Sequence, residues 1–347
     1  PTTMQVTAGA GVTISQWRAH ARAAGLDVPV DFAARDSATV GGAIATNAGG
    51  SRVVRYGTMR SQIRGIRAVL ADGTVVGSLD GLPKETAGIH WPSLLAGSEG
   101  TMAVVTAARL QLVPRFEHGV TALVTMASLR DAVDLLGSLR TRLPSLDAVE
   151  LIGASAMELV SRHLGVSGPV SSSGVTPTDG PALLIECADH VDPSADLARV
   201  VEAATGVIDA VVATDGPRRR SLVELRDRLT EAIAAAATDL GSPVFKLDVA
   251  VPVERLDELW HHAHRAAVDD GARLIAFGHL AEGNLHLNHL GASDTERLAG
   301  SVLGTVAELG GTVSAEHGIG IAKARWLSLI RNRGDLDAQR AIRRALD

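Results

Sequence analysis

Apolar positions recur along the chain with two spacings. Short alternating or continuous apolar runs predict strands at residues 4–8, 107–113, 120–126, 149–152, 182–186, 209–213, 245–251 and 273–277. Apolar positions three and four apart predict helices at 16–24, 129–142, 155–163, 193–205, 218–237, 253–269 and 293–309, with a short one at 91–95. Thr13 or Ser15 serves as N-cap of the first helix, which Gly25 closes, and Ser128 caps the helix at 129. Residues 66–76 read as a hairpin turning at Asp72-Gly73. A final helical region opens at Glu316-His317 and runs to about 345. From Gly119 onward strands alternate with helices and hairpins. This predicts an α+β fold with helices on one face of an antiparallel sheet. Residues 166–180, rich in Ser, Gly, Pro and Thr, read as a surface loop.

Two segments break the periodicity with small residues. Ser37-Ala-Thr-Val-Gly-Gly-Ala-Ile-Ala-Thr-Asn-Ala-Gly-Gly50 holds four glycines and no charge. Glycine lets a backbone approach a ligand closely, and Ser37, Thr39, Thr46 and Asn47 offer neutral hydrogen bonds, a combination suited to a flat phosphorylated cofactor. The other reading is a Gly-rich turn in a tight core. Neither a Walker A loop nor Gly-x-Gly-x-x-Gly is present. The second segment, Ala96 to Thr106, is a small-residue turn with Glu99 as its one acidic group.

Composition narrows the classes. The chain has 347 residues, 46% hydrophobic and 21% charged, which fits a globular protein of about two domains. Its net charge of −6 argues against nucleic acid as a partner. The single cysteine, Cys187, excludes an intramolecular disulfide and fits a reducing compartment. No signal peptide and no transmembrane run are visible, so a cytoplasmic location is expected.

The densest chemistry lies in Phe277-Gly-His-Leu-Ala-Glu-Gly-Asn-Leu-His-Leu-Asn288. If Glu282-Gly283 is a two-residue turn, His279 faces His286 across the ribbon, with Cβ atoms about 4.5–5.5 Å apart. Asn288 shares the face of His286. Two such imidazoles suit a divalent metal, and Glu316, in Ser314-Ala-Glu-His-Gly-Ile-Gly320, offers an anionic third ligand beside His317, a candidate base. The other reading is a plain hairpin and helix start. Arg226 and Thr230 share a helix face, and Lys246 and Asp248 a strand face. His261, His262 and His264 do not converge on one helix face and read as surface residues.

The glycine-rich segment at 37–50, Gly97-Ser-Glu-Gly-Thr-Met-Ala-Val-Val105, the hairpin and the 314–320 segment occur in that order. Together they resemble the FAD-linked oxidase family that includes D-lactate, D-2-hydroxyglutarate and glycolate dehydrogenases, within the vanillyl-alcohol oxidase superfamily. The resemblance implies an FAD-binding domain of that type, over residues 1–117, whose earlier pyrophosphate loop has no counterpart here. It implies a substrate-binding cap over 118–300, an antiparallel sheet covered by helices, and a C-terminal helical segment over 301–347 that packs back on the FAD domain. By carry-over, Ser37, Thr39, Gly41, Gly42, Asn47, Gly49, Gly50, Glu99, Gly100 and Val104 would line FAD. His279, His286 and Glu316 would hold a divalent metal, zinc by analogy, and His317 would be the catalytic base. Arg226, Thr230, Lys246 and Asn288 would bind substrate. Val223, Ala103 and Ala281 depart from residues common in the family. The expected activity is FAD-dependent, metal-assisted oxidation of a D-2-hydroxy acid, of the D-2-hydroxyglutarate or D-lactate class, by an enzyme that passes electrons to an unidentified acceptor and forms a homodimer. Two other readings use the same residues: a flavin-free metal hydrolase, and an inactive or flavin-free binding relative.

Overall fold

The structure, a computed structural model, describes residues 2–166 and 180–346. The loop expected at 166–180 therefore lies, apart from its two ends, outside the described residues. The chain divides into two compact units, Pro1–Arg115 with Glu316–Asp347, and Phe116–Ala315. No helix is long and apolar enough to cross a membrane among the described residues.

The first unit opens with β1 (Gln5–Gly9), α1 (Ile14–Ala23) and β2 (Leu26–Asp27), followed by the short helices α2 (Val40–Thr46), α3 (Val53–Tyr56) and α4 (Met59–Gln62). It continues with β3 (Ile63–Val69), β4 (Val75–Val76), α5 (Trp91–Leu95), β5 (Val104–Gln111) and β6 (Val113–Pro114). Strands β1, β5, β3 and β4 form an antiparallel sheet in that order, and β2 pairs with β6. Thr13 caps α1 in a reciprocal capping box with Gln16. The helix buries Ile14, Trp17 and Ala21, which the 3.6-residue period places on one stripe. These side chains join Val40, Ile44, Met59, Ile66, Leu95 and Leu110 in the core. The hairpin at 66–76 is present, with Asp72 accepting the Thr74 N–H at 2.8 Å.

The second unit contains β7 (His118–Met126), α6 (Leu129–Arg142), β8 (Leu146–Ile152), α7 (Ala154–Leu164), β9 (Ala182–Asp189), α8 (Ser194–Glu202) and β10 (Val207–Ala213). Then come α9 (Gly216–Asp227), α10 (Leu229–Leu240), β11 (Phe245–Ala250), α11 (Leu256–Asp270), β12 (Arg273–His279), β13 (Asn284–Leu290) and α12 (Thr295–Glu308). The strands form one seven-stranded antiparallel sheet, ordered β10-β7-β9-β8-β12-β13-β11. Helix α12 runs through position 300 and stays with this unit.

Helices flank both faces of the sheet rather than one. Leu123, Leu184, Ile152, Ile275, Phe277 and Leu290 share one face and cluster with Met157 and Val160 of α7, Leu225 of α9, and Leu229 and Ile233 of α10. The opposite face, with Val124, Leu151, Leu183, Ile185, Leu247 and Leu287, is equally buried. Helices α6, α8, α11 and α12 pack on the same strands. The reason is in the sequence: Ala182-Leu-Leu-Ile185 is continuously apolar, as a strand covered on both sides must be.

Two expected helices differ. The one predicted over 218–237 is interrupted at Arg228, so Arg226 and Thr230 stand on successive helices. The one expected to open at Glu316 is irregular chain with a 3-10 stretch, Ala324–Leu329, before a helix, Arg333–Leu346. Gly318 and Gly320 take positive φ, +78° and +51°, which a helix does not admit.

Candidate functional site

In the second unit, strand pairing sets two polar pairs, in successive rows, on four neighbouring strands. His279 on β12 pairs with Glu150 on β8, and His286 on β13 pairs with Asp248 on β11. Alternation sends all four to the sheet face that carries Phe277, Ile275 and Ile152. The next row on that face holds Asn288, paired with Lys246.

The hairpin reaches this arrangement by a different register from the one expected. His286 pairs with Phe277, not with His279. A 3-10 turn, Leu280–Glu282, replaces the two-residue turn, and Gly283 closes it at φ +64°. A Cβ at Gly283 would also lie 2.0 Å from the Val251 carbonyl oxygen, so glycine is required there. The slip is two residues, which preserves the face. The two imidazoles still meet, edge to face, with ring centroids 5.5 Å apart.

Carboxylates hold both imidazoles by Nδ1. Glu150 Oε1 lies 2.5 Å from His279 Nδ1, and Asp248 Oδ1 lies 3.3 Å from His286 Nδ1. Asp248 also accepts from Asn284 Nδ2 at 2.9 Å. The second oxygen of Glu150 accepts from Arg226 Nε at 2.6 Å, and Arg226 Nη2 lies 3.4 Å from His279 Nε2. Glu150 and His279 are each 2% exposed, which makes this a buried charged cluster. Burial alone would raise the Glu150 pKa, but the His279 imidazole and the Arg226 guanidinium outweigh it and hold the carboxyl at about 2. Glu282 stands at the other extreme. Burial pushes it up to about 7, helped by the Glu150 charge and opposed by His279 and Arg140.

This donor set fits a divalent metal. Imidazoles whose Nδ1 atoms rest on carboxylates keep the lone pair on Nε2, which is how metal-binding histidines are generally held. Oδ1 of Asn284 is buried on the same face with no hydrogen-bond partner. The predicted substrate residues are placed unequally. Arg226 is half-buried on α9 against Glu150, whereas Thr230 and Lys246 are exposed. Asn288 is buried and donates to the carbonyls of Ile275 and His286. Sequence reasoning passed over Glu150 and noted Asp248 only as a neighbour of Lys246. The available signal was an acid inside an otherwise apolar strand, at Val149-Glu-Leu-Ile152 and at Leu247-Asp-Val249.

In the first unit the glycine-rich segment forms α2. Its first backbone donors are already used: Val40 N–H donates to Val12, Gly41 to Ala10, and Gly42 to the Thr39 hydroxyl that caps the helix. The start of α2 is therefore not an anion cradle. Gly42, Thr46, Gly100 and Val104 are exposed and uncharged, a surface suited to a flat, neutral part of a cofactor. Ser37 is exposed, and its hydroxyl donates to Ala34 O. Asn47 ends α2 in the left-handed region and accepts from Arg60 N–H at 2.9 Å. Glu99, also at positive φ, accepts from the N–H groups of Ile319 and Gly320 at 2.7 and 2.8 Å. Glu316 accepts from Gly50 N–H at 3.2 Å, and Gly49 packs against the same carboxylate. The 316–320 loop is thus fastened to both small-residue segments, and His317 is exposed within it.

Comparison with known proteins decides the family. A model described as "FAD linked oxidases, C-terminal domain" matches residues 115–347, and one described as "FAD binding domain" matches residues 1–78. The chain belongs to the FAD-linked oxidase family. It is 33% identical to D-2-hydroxyglutarate dehydrogenase, mitochondrial, of Rattus norvegicus, over 92% of this chain and 59% of that protein. It is 32% identical to the D-lactate dehydrogenase of Archaeoglobus fulgidus, over 91% of this chain and 68% of that one. The chain spans about three-fifths of the length of the rat protein. Among solved structures, an alkyldihydroxyacetonephosphate synthase superposes with a TM-score of 0.71 at 15% identity, covering 99% of this chain and 62% of that one. That likeness shows the fold.

Proposed function

We propose that this member of the FAD-linked oxidases oxidises a D-2-hydroxy acid to the 2-oxo acid, with a divalent metal at the substrate. The observation that carries the reading is the pair of imidazoles, His279 and His286, each backed by a carboxylate on one sheet face. The dehydrogenase names of the relatives support it. In this reading the first unit binds FAD and the second binds substrate.

When bound, FAD supplies the two-electron acceptor, and a metal such as zinc supplies Lewis acidity that lowers the pKa of the substrate hydroxyl. His279 and His286, with Glu316, would hold the metal. His317 would take the proton from the C2 hydroxyl on a ring nitrogen, as general base. Lys246 forms no ion pair among the described residues and would meet a substrate carboxylate as a cation. Thr230 and Asn288 would add neutral contacts, and Arg226 a guanidinium edge. The Lys246 cation favours a second carboxylate on the substrate, as in D-2-hydroxyglutarate, over D-lactate. Around α2, Thr39, Gly41, Gly42 and Asn47 would line FAD, with Gly49, Gly50, Glu99, Gly100 and Val104 beyond it.

The test is a panel of D- and L-2-hydroxy acids with an artificial electron acceptor, run with and without a chelator. The expected result is oxidation of D isomers, fastest with dicarboxylates, lost on chelation. Activity indifferent to chelation would remove the metal from the reading, and hydrolytic activity in colourless protein would favour a metal hydrolase. His317→Ala is expected to lower turnover by about 10²–10⁴-fold while the flavin absorbance stays. Undiminished turnover would take the proton-transfer role from His317.

A further inference from the structure

The Glu150 carboxylate sits where two functional residues converge, and both of its oxygens are engaged. Oε1 lies 2.5 Å from His279 Nδ1, and Oε2 accepts from Arg226 Nε at 2.6 Å. Arg226 also reaches His279 from the other side, with Nη2 at 3.4 Å from Nε2. The three side chains close a ring of contacts in a site that is 2% exposed at both Glu150 and His279.

The donor and acceptor inventory then fixes the tautomer. A guanidinium only donates, so the nitrogen facing it, Nε2, must carry the lone pair. An ionised carboxylate only accepts, so the nitrogen facing it, Nδ1, must carry the hydrogen. Both neighbours impose the same answer. We propose that Glu150 is a positioning residue that locks His279 in the Nδ1–H tautomer, with the lone pair on Nε2, and sets the plane of Arg226 at the same time. One buried carboxylate thereby ties a metal-binding imidazole to an anion-binding guanidinium, so neither reorients without the other. The inference deepens the reading of His279 as a metal ligand and rests on it for what the lone pair is used for. The tautomer itself does not depend on that reading.

Glutamine is the discriminating replacement. Both partners donate toward position 150, and a carboxamide can accept through one atom only. Glu150→Gln must therefore turn its NH₂ toward either His279 or Arg226. The experiment uses the whole chain with ¹⁵N-labelled histidine. Nitrogen NMR reads the His279 tautomer, assigned with His279→Gln, and titration with Co²⁺ or Zn²⁺ alone reads metal affinity. Wild type is expected in the Nδ1–H form. Glu150→Gln is expected to mix the tautomers and weaken metal binding about 10–100-fold. Glu150→Asp, which restores the charge, is expected to recover part of the affinity. A wild-type His279 in the Nε2–H form overturns the proposal, and so does a Gln variant with unchanged tautomer and affinity. If wild type shows the Nδ1–H form that Gln disturbs but takes up neither metal, the positioning role stands and the metal reading fails. Should the Gln variant not fold, the wild-type tautomer alone decides.

Discussion

The two units place their candidate residues in opposite ways. In the second, function is assigned to side chains that grip one another: Glu150, His279 and Arg226 form an ion-paired cluster on two strands and a helix, with Glu150 and His279 buried. In the first, it is assigned mostly to residues with almost no side chain, and the polar groups there are consumed by the fold itself. Glu99 and Glu316, its two candidate acids, accept backbone N–H groups of Ile319, Gly320 and Gly50. The lesson is that one glycine-rich motif contains two kinds of glycine. Some allow the chain to pack on itself, and others leave a surface bare. In the strand motif the corresponding division lies between the polar residues on one face and the apolar residues on the other.

The largest expected effect tests the packing kind of glycine. Gly50 sits at φ +100°, and a Cβ there would lie 2.1 Å from the Asp31 carbonyl oxygen. The contact is with backbone, so no side-chain rotation relieves it. Gly50→Ala is expected to destabilise the protein by about 4 kcal/mol or more, through strain and displacement together. Urea denaturation measures it. A midpoint near wild type would mean that Gly50 belongs with the bare-surface glycines, and the division would fail at its first member.

This division also explains what the sequence made legible. The polar rows were half visible: His279, His286 and Asn288 stand out by spacing, because period-two alternation is a local property. Glu150 was not, because its meaning lies in partners 76 and 129 residues away along the chain. The hairpin register failed for a related reason. Glu282-Gly283 looks like a two-residue turn, but Gly278 and His279 are claimed by β8, a distant strand, and the turn widens to suit. The antiparallel sheet followed from the strand and helix alternation. Its coverage on both faces is written in continuous apolar runs such as Ala182-Leu-Leu-Ile185. In the first unit, the small, uncharged character of the segment around Thr39 and Gly42 was legible from composition. That their hydrogen bonds are already spent on capping α2 was not, since capping geometry at this point depends on where the backbone turns.

The next effect comes from the opposite face of the same strand. His289 is fully buried between Phe245 and Leu274, and neither ring nitrogen has a hydrogen-bond partner. Burial pushes its pKa from 6.5 down to about 4, while the Phe245 backbone and Asp270 pull upward and His264 pushes further down. The folded state therefore favours the neutral ring. Its contribution to stability is complete above the unfolded value near 6.5 and is lost as pH falls from there toward 4. Between pH 7 and pH 5 the loss is about 2 kcal/mol. His289→Leu removes the titrating group without changing the face, and should flatten this part of the pH dependence. Urea midpoints of both proteins at the two pH values measure the difference. Equal slopes would show that the ring is not neutral and isolated, and would weaken the contrast between satisfied polar rows on one face and an unsatisfied ring on the other.

The smallest effect on folding tests the bare-surface kind of glycine, and it bears most directly on cofactor binding. Gly42 lies in the first turn of α2, exposed, at a helical φ that any residue accepts. An added Cβ would meet only the Thr39 hydroxyl oxygen, at 3.3 Å, which has to yield by a few tenths of an ångström. Against that stands the helix preference of alanine over glycine, close to 1 kcal/mol in a helix interior. The two terms nearly cancel, so Gly42→Ala is expected to change stability by less than about 1 kcal/mol. If the small-residue surface around Gly42, Thr46, Gly100 and Val104 is where a flat cofactor lies, the new methyl group stands in its way. Flavin absorbance per protein should then fall although the urea midpoint does not move. Unchanged flavin content at unchanged stability would detach Gly42 from the cofactor and leave the glycine-rich segment with a packing role alone. A fall in both would place Gly42 beside Gly50. Only the split outcome, stability kept and flavin lost, preserves the distinction between glycines that serve the chain and glycines that serve what binds to it.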